Sequence, residues 1–163
     1  MSNDSAILYG ILALILFTGC STQPYTKQES LFVVFKTPSL KHADLGFLYE
    51  NTQTVKLEMY SNGQAIKALE IKHERICLGQ WECLDKQGFN REILSADYPK
   101  DILENIFRGQ VIFGGKNRQD TGNGFTQSII KKDKYQITYS VFNTQIVFHD
   151  TINAISIKLQ RLD

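Results

Sequence analysis

Residues 135–142 read YQITYSVF, and this stretch decides the fold that we expect. Tyr135, Ile137, Tyr139 and Val141 alternate with glutamine, threonine and serine, so the apolar side chains recur at every second position. A period of two is typical of a strand with one buried and one solvated face, the usual pattern of antiparallel sheets. We therefore expect an antiparallel sheet around this segment.

The same alternation recurs in VKLEMY, residues 55–60, and in AISIKLQ, residues 154–160. Strands that neighbour one another in a sheet direct their alternate side chains to a common face. The apolar positions that we expect on one face, as candidates to line a ligand site, are Val55, Leu57, Tyr135, Ile137, Tyr139, Ile155 and Ile157.

Turn residues separate these runs. Asn62-Gly63 joins the runs 54–60 and 65–72, and Asn-Gly is a strong hairpin signal because both residues accept a positive φ. We interpret KKDK, residues 131–134, as a second hairpin turn and HDTIN, residues 149–153, as a third.

One segment, SADYPKDILENIFRGQ (95–110), has a different period. Pro99 stands near its start, Ile102, Leu103 and Ile106 follow with helical spacing, and Gly109 gives the stop. We expect one main helix of about ten residues here. The predicted fold is α+β: a meandering antiparallel sheet of about seven or eight strands with that helix packed on it.

Composition limits the class of protein. The chain has 163 residues, with 18 basic and 17 acidic side chains, and only Asp4 among the charged residues lies in the first 19. No basic stripe is interleaved with the aromatic residues, so we expect no nucleic-acid partner. The polar run 20–30 is predicted to be a flexible tether, and residues 31–163 a single globular domain.

The N-terminus carries a short apolar segment, AILYGILALILF (6–17), followed by LFTGCS (16–21). Twelve helical residues rise about 18 Å, short of a bilayer's hydrocarbon core of about 30 Å. The segment resembles a bacterial lipoprotein signal, with Cys20 as the acceptor. The resemblance implies cleavage after residue 19, a lipid anchor on Cys20 and, because Ser21 follows, localisation to the outer membrane. Two features differ, since MSNDS lacks a basic residue and Phe17 replaces the usual leucine; the alternative is a buried N-terminal helix with a core cysteine.

Cys77 and Cys83 enclose LGQWE. In the oxidising compartment beyond the inner membrane, this separation favours a disulfide that closes a small loop with Trp81 at its tip. A metal site is disfavoured, because His73 is the one imidazole near the pair and no second paired ligand set exists.

No constellation for catalysis is found. His42, His73 and His149 are scattered, without a nucleophile elbow or a zinc-protease motif. GGKNRQDTGNG, residues 114–124, matches neither a phosphate loop nor an aspartic-protease triplet in full, and we interpret it as a mobile loop. We predict no enzymatic activity, no cofactor and no bound metal.

The segments after Gly109 are FTQSIIKKDKYQITYSVF (125–142), IVFHD (146–150) and ISIKLQRL (155–162). Their order after a short helix resembles the C-terminal half of LolB-type outer-membrane lipoproteins. The resemblance implies a curved half-barrel whose concave face holds acyl chains and receives lipoproteins from a periplasmic carrier protein. That family presents an exposed leucine to the membrane; here Trp81 is the candidate membrane probe, or else it packs on the sheet. The alternative function is a structural or assembly lipoprotein that binds an envelope protein, its apolar face forming a filled core.

Overall fold

The computed structural model describes residues 24–80 and 82–162. Within them, eleven β-strands form one antiparallel sheet. In chain order the strands are β1 Lys27–Lys36, β2 Lys41–Glu50, β3 Val55–Ser61, β4 Gln64–Ile71, β5 Arg75–Leu78, β6 Glu82–Asp85, β7 Arg118–Thr121, β8 Gly124–Lys131, β9 Tyr135–Phe142, β10 Gln145–Asp150 and β11 Ile155–Arg161.

The sheet consists of two meanders that meet at their first and last strands. Its order is β6-β5-β4-β3-β2-β1-β11-β10-β9-β8-β7, so β1 pairs with β11 and the two halves become continuous. The edges are β6 and β7, and the sheet is not closed into a barrel. Both edge strands have only four residues, a length that limits pairing with other chains.

Alternation of side chains gives the sheet an inner, apolar face. Leu31, Val33 and Phe35 of β1 point inward, and their neighbours Phe32 and Val34 point outward. The same parity holds in β3, β9 and β11, and the buried side chains of these strands join one core cluster. Burial of this continuous apolar face is the main favourable free energy of the fold.

The connection from β6 to β7, residues 86–117, contacts the inner face; we name it the cover. It contains two short helices, α1 Lys86–Ile93 and α2 Ile102–Phe107, and a 3₁₀ turn at Phe113–Gly115. Asp85 caps α1 by accepting a hydrogen bond from the Gly88 N–H at 2.8 Å.

Hairpin turns follow the local sequence. The Asn62-Gly63 hairpin is confirmed: both residues have positive φ, 51° and 77°, and they join β3 to β4. Asp133, with φ of 60°, turns the chain between β8 and β9. The third turn lies between Asp150 and Ile155.

The expected α+β half-barrel of seven or eight strands with one main helix is wrong. Among the described residues the strand content is 55% and the helix content only 12%, with eleven strands and two short helices. The expected helix is reduced to the six residues of α2, because the chain from Pro99 to Asp101 forms a turn before it. The second helix, α1, was missed because Gly88 interrupts a segment with a single buried aromatic residue, Phe89.

The strands missing from the prediction have weak alternation. β1 begins at Lys27, inside the segment expected to be a tether. Its first four residues are polar and exposed or half-buried, so they gave no sign of a strand in the sequence. β7 lies at 118–121 in the segment expected to be a loop, and all four of its residues are exposed. β5 and β6 are short strands that pair with each other across the Cys77–Cys83 loop, and β5 also pairs with β4.

Candidate functional site

The seven residues predicted to line a ligand site all lie on the inner face, in β3, β9 and β11. Five of them have no surface accessible to water, and the most exposed, Tyr135, is 8% exposed. The five fully buried residues are Val55, Leu57, Ile137, Ile155 and Ile157. A cavity wide enough for an acyl chain would leave accessible surface on them, so the inner face in this form is a filled core.

Side chains of the cover fill the space over the inner face. Phe107 meets Phe35 of β1 edge-to-face, with ring centroids 6.4 Å apart. Tyr98 meets Phe148 of β10 in the same geometry at 5.9 Å. The buried apolar residues that the cover contributes are Phe89, Tyr98, Ile102, Leu103, Ile106, Phe107 and Ile112.

A buried hydrogen bond joins the cover to the end of β10. The Tyr98 hydroxyl donates to Asp150 Oδ2, and Asp150 is fully buried. Burial and this carboxylate both raise the pKa of Tyr98 above its ordinary value, so the phenol remains a neutral donor. Asp150 was not identified as a candidate from the sequence, although its parity with Ile146 and Phe148 puts it on the inner face.

Ion pairs hold the two helices together. Lys86, 5% exposed, donates hydrogen bonds at 2.7 Å to Asp101 Oδ1 and to Glu104 Oε2. Burial lowers the pKa of Lys86, but the two carboxylates outweigh it and leave that pKa raised. Arg108 extends the set, since it donates to Glu104 Oε1 at 3.0 Å and lies 3.6 Å from Glu50 Oε2 of β2.

The end of the cover is tied to β8 and β9. Gln127 accepts a hydrogen bond from the Ile112 N–H at 2.9 Å and donates to the Ile112 and Lys116 carbonyl oxygens. The Tyr139 hydroxyl donates to the Gln110 carbonyl at 2.9 Å. Through these bonds the irregular segment between α2 and β7 satisfies its backbone groups.

Backbone strain is concentrated where the cover leads into β7. Phe113, Gly114, Gly115 and Asn117 all have positive φ, at 47°, 65°, 80° and 55°. Glycine tolerates this region, whereas a bulky residue such as phenylalanine rarely adopts it. Phe113 is held there by ring contacts, with centroids 5.0 Å from Tyr135 and 6.3 Å from Tyr98.

Two buried polar atoms of the cover have no hydrogen-bond partner among the described residues. They are Asn90 Oδ1 on α1 and Arg108 Nη2 just after α2. Asn90 is fully buried and uses only its amide nitrogen, which donates to the Pro99 carbonyl at 2.9 Å. An unpaired buried polar atom costs about 1–3 kcal/mol, so the closed position of the cover carries a penalty.

Cys77 and Cys83 lie opposite each other in β5 and β6 and are joined by a disulfide, with Cα atoms 4.0 Å apart. A cleft of about 460 Å³ lies beside it, lined by Cys83, Leu84, Phe89 and Ile93 among others. Trp81, the candidate membrane probe, lies outside the described residues.

The histidines do not converge. His42 is buried in β2, His73 lies 3.2 Å from Glu74, and His149 belongs to β10. In residues 24–80 and 82–162, no group of three histidine, cysteine or acidic side chains is arranged to hold a metal ion.

A cleft of about 660 Å³ lies on the opposite side of the sheet. Of the seven candidate residues, only Tyr139 contributes to it. Most of the residues that line it are polar, and they come mainly from the outer positions of β8 and β9 and from residues 116–119. It is therefore not the apolar site that the alternation predicted.

A comparison with protein-family models finds no family that matches the chain, and a comparison with curated proteins finds no match. The LolB-type resemblance therefore stays a prediction. Cys20, the signal segment 1–19 and the first residues of the tether lie outside the described residues. Among the helices that are described, none is long and apolar enough to span a bilayer.

Proposed function

We propose that this chain is a lipid-anchored envelope protein that binds acyl chains between the inner face of its sheet and the cover. In this proposal Cys20 holds the protein at the outer membrane. The ligands are the acyl chains of lipoproteins delivered by a periplasmic carrier, as the LolB-type resemblance implies. The described structure is then the closed, empty form, in which cover side chains occupy the place of the ligand.

The observation that carries the proposal is the strain concentrated in the cover. A non-glycine residue in the left-handed region costs about 1–3 kcal/mol, and Phe113 occupies that region. Asn90 Oδ1 and Arg108 Nη2 add the penalty of unpaired buried atoms. Because these costs disappear when the cover opens, they lower the free energy of opening relative to unfolding of the sheet.

When an acyl chain replaces the cover, the hydrophobic free energy that the cover loses and the hydrophobic free energy that the acyl chain gains are of similar size. Exposing a large apolar side chain costs about 1.5–3 kcal/mol, so lifting the buried apolar residues of the cover costs roughly 10–20 kcal/mol. An acyl chain of about 16 carbons gains roughly 12 kcal/mol when it leaves water, at about 0.8 kcal/mol per methylene. The empty protein therefore stays closed, and a ligand that replaces the cover on the inner face stabilises the open form.

The experiment is titration of the full-length protein with a fluorescent fatty acid, comparing two tyrosine variants. Tyr98→Phe removes the hydroxyl that ties the cover to Asp150. Tyr49→Phe is the matched control, since it also removes a hydroxyl bound to a carboxylate, Glu58, but on the outer face. We expect the wild type and Tyr49→Phe to bind alike, and Tyr98→Phe to bind about 10- to 150-fold more tightly, the equivalent of one lost hydrogen bond to a charged group.

A wild type that binds no acyl probe contradicts the proposal. Equal affinity for the two variants contradicts the role given to the cover. Thermal melting of each variant checks that both remain folded.

The filled interior favours a second function, that of an assembly lipoprotein that binds an envelope protein through its surface. Native mass spectrometry of the protein lacking Cys20 separates the two. Co-purified lipid or acyl peptide supports acyl binding, whereas a ligand-free mass together with no probe binding supports the assembly function.

A further inference from the structure

We propose that the outer face of β1–β3 rests on the membrane that holds the lipid of Cys20, through a surface that we name the aromatic patch. This inference rests on the lipid anchor of the proposed function and adds to it an orientation of the domain. The patch consists of Tyr25, Phe32, Leu45, Phe47, Tyr49 and Tyr60.

These side chains form a continuous surface. Tyr25 packs on Tyr49 with ring centroids 5.5 Å apart, and Phe47 meets Tyr60 edge-to-face at 5.4 Å. Phe32 of β1 stands directly opposite Leu45 of β2 in the antiparallel register. At the usual rise of a strand, the patch extends about 13 Å along β2 from its Leu45 end to its Tyr49 end.

Three residues of the patch are exposed although they are apolar, and the other three are half-buried. Leu45 is 50% exposed, Tyr25 39% and Phe32 38%, in a sheet whose other face is buried. Contiguous apolar surface of this kind marks a site of interaction with a protein or a membrane.

The polar groups of the patch suit the boundary between lipid and water. The hydroxyls of Tyr49 and Tyr60 both donate to Glu58 at 3.3 Å, and Glu58 is paired with Lys56 at 2.5 Å. At the Tyr25 end of the patch, Lys27 pairs with Glu50 of β2 at 3.1 Å. The charges are thus internally balanced, and the tyrosines present an apolar ring with a polar tip, the chemistry enriched at membrane interfaces.

The chain length to the anchor selects the membrane as the occupant rather than a second protein. Tyr25 follows Cys20 by five residues, and an extended chain spans at most about 3.5 Å per residue. The Tyr25 backbone therefore lies within about 18 Å of an acylated Cys20, which itself sits at the bilayer surface. The patch begins at Tyr25 itself and therefore lies within reach of the bilayer that holds the anchor.

The experiment measures the depth of single tryptophans in vesicles that contain brominated phosphatidylcholine. The acylated full-length protein carries Trp81→Phe, and a new tryptophan is placed at position 45 or 130. Leu45→Trp reports the patch. Ile130→Trp is the matched control, because Ile130 is a strand residue at least as exposed as Leu45, at 62%, on β8 in the other half of the sheet.

We expect the bromolipid to quench Leu45→Trp at least about twofold more than Ile130→Trp, since bromine on the acyl chains quenches at short range and reaches only tryptophans that enter the bilayer. Equal quenching at both positions, or none at position 45, overturns the orientation. A mass that shows no acyl groups on Cys20 overturns the anchor on which the patch depends. Neither result bears on acyl binding by the inner face, which the fatty-acid titration measures separately.

Discussion

At the scale of single residues, Asp150 is a fully buried carboxylate in the core. Its carboxylate accepts hydrogen bonds from the Asn153 side chain at 2.7 Å and from the N–H groups of Gln136 and Ile152 at 3.0 Å, besides the Tyr98 hydroxyl. Burial favours the neutral acid and raises the pKa, but these four donors outweigh burial and leave the pKa of Asp150 below its ordinary value of 3.8. The carboxylate therefore fixes the turn from β10 to β11 and one end of the cover at once.

We expect Asp150→Asn to lower the free energy of unfolding at neutral pH by about 1–3 kcal/mol, because an amide cannot accept all four bonds. Since the folded pKa is lowered, ionised Asp150 stabilises the protein fully above a pH of about 4, and this contribution is lost as pH falls through the folded pKa. Urea unfolding between pH 7 and pH 2 should show a smaller acid-dependent loss in the variant. Asp120→Asn is the control, since Asp120 is 71% exposed and paired only at the surface; an equal effect in both variants would refute the role of Asp150.

At the scale of secondary structure, the glycines of the turn at 113–115 set the path of the cover. A Cβ built on Gly114 meets no atom within 4 Å, so its only constraint is its φ of 65°. Gly122 in the turn from β7 to β8 has the same open surroundings without a positive φ. A comparison of alanine substitutions at Gly114 and Gly122 therefore measures the cost of the positive φ alone.

We expect Gly114→Ala to lower stability by about 1 kcal/mol and Gly122→Ala to leave it unchanged or to raise it slightly. Thermal or urea unfolding of the two variants measures the difference. Similar stabilities would show that the turn at the end of the cover is not strained.

Local chemistry decided which elements the sequence predicted. The Asn62-Gly63 hairpin was predictable because its dihedral requirement belongs to two adjacent residues. By contrast β7 contains no apolar residue, and it is a strand only because β8 offers it a partner across the turn at 122–123. β1 likewise depends on β2 and β11, which lie on both of its sides, and no local pattern in its first four residues reveals them.

At the scale of the whole molecule, the sequence predicted which residues face inward but not what they meet there. Val55 and Ile137 are about 80 residues apart and both lie in the core cluster, as their alternation required. The cover that fills the space between them comes from a segment with only two short helices, whose position follows from tertiary contacts. Alternation alone does not distinguish a filled core from an open cleft.

The filled core leads to a direct prediction for Ile137→Asp. Ile137 is fully buried between β8 and β10, so the new carboxylate would be buried without a partner, and we expect a loss of several kcal/mol or failure to fold. Ile130→Asp is the control on the exposed side of β8, and its free energy of unfolding should lie within about 0.5 kcal/mol of the wild-type value. A well-folded Ile137→Asp would show instead that the inner face is open to water.

The central claim, that acyl chains bind to the inner face by displacing the cover, is tested most directly by amide hydrogen exchange with and without a fatty acid. Opening frees N–H groups of the cover that donate to the sheet, such as the Ile112 N–H, which donates to Gln127 Oε1 of β8, while the paired strands β1 and β11 stay intact. We predict that the ligand speeds exchange in residues 86–117 and leaves exchange in β1 and β11 unchanged or slower. Unchanged exchange throughout residues 86–117 at saturating ligand would contradict the claim.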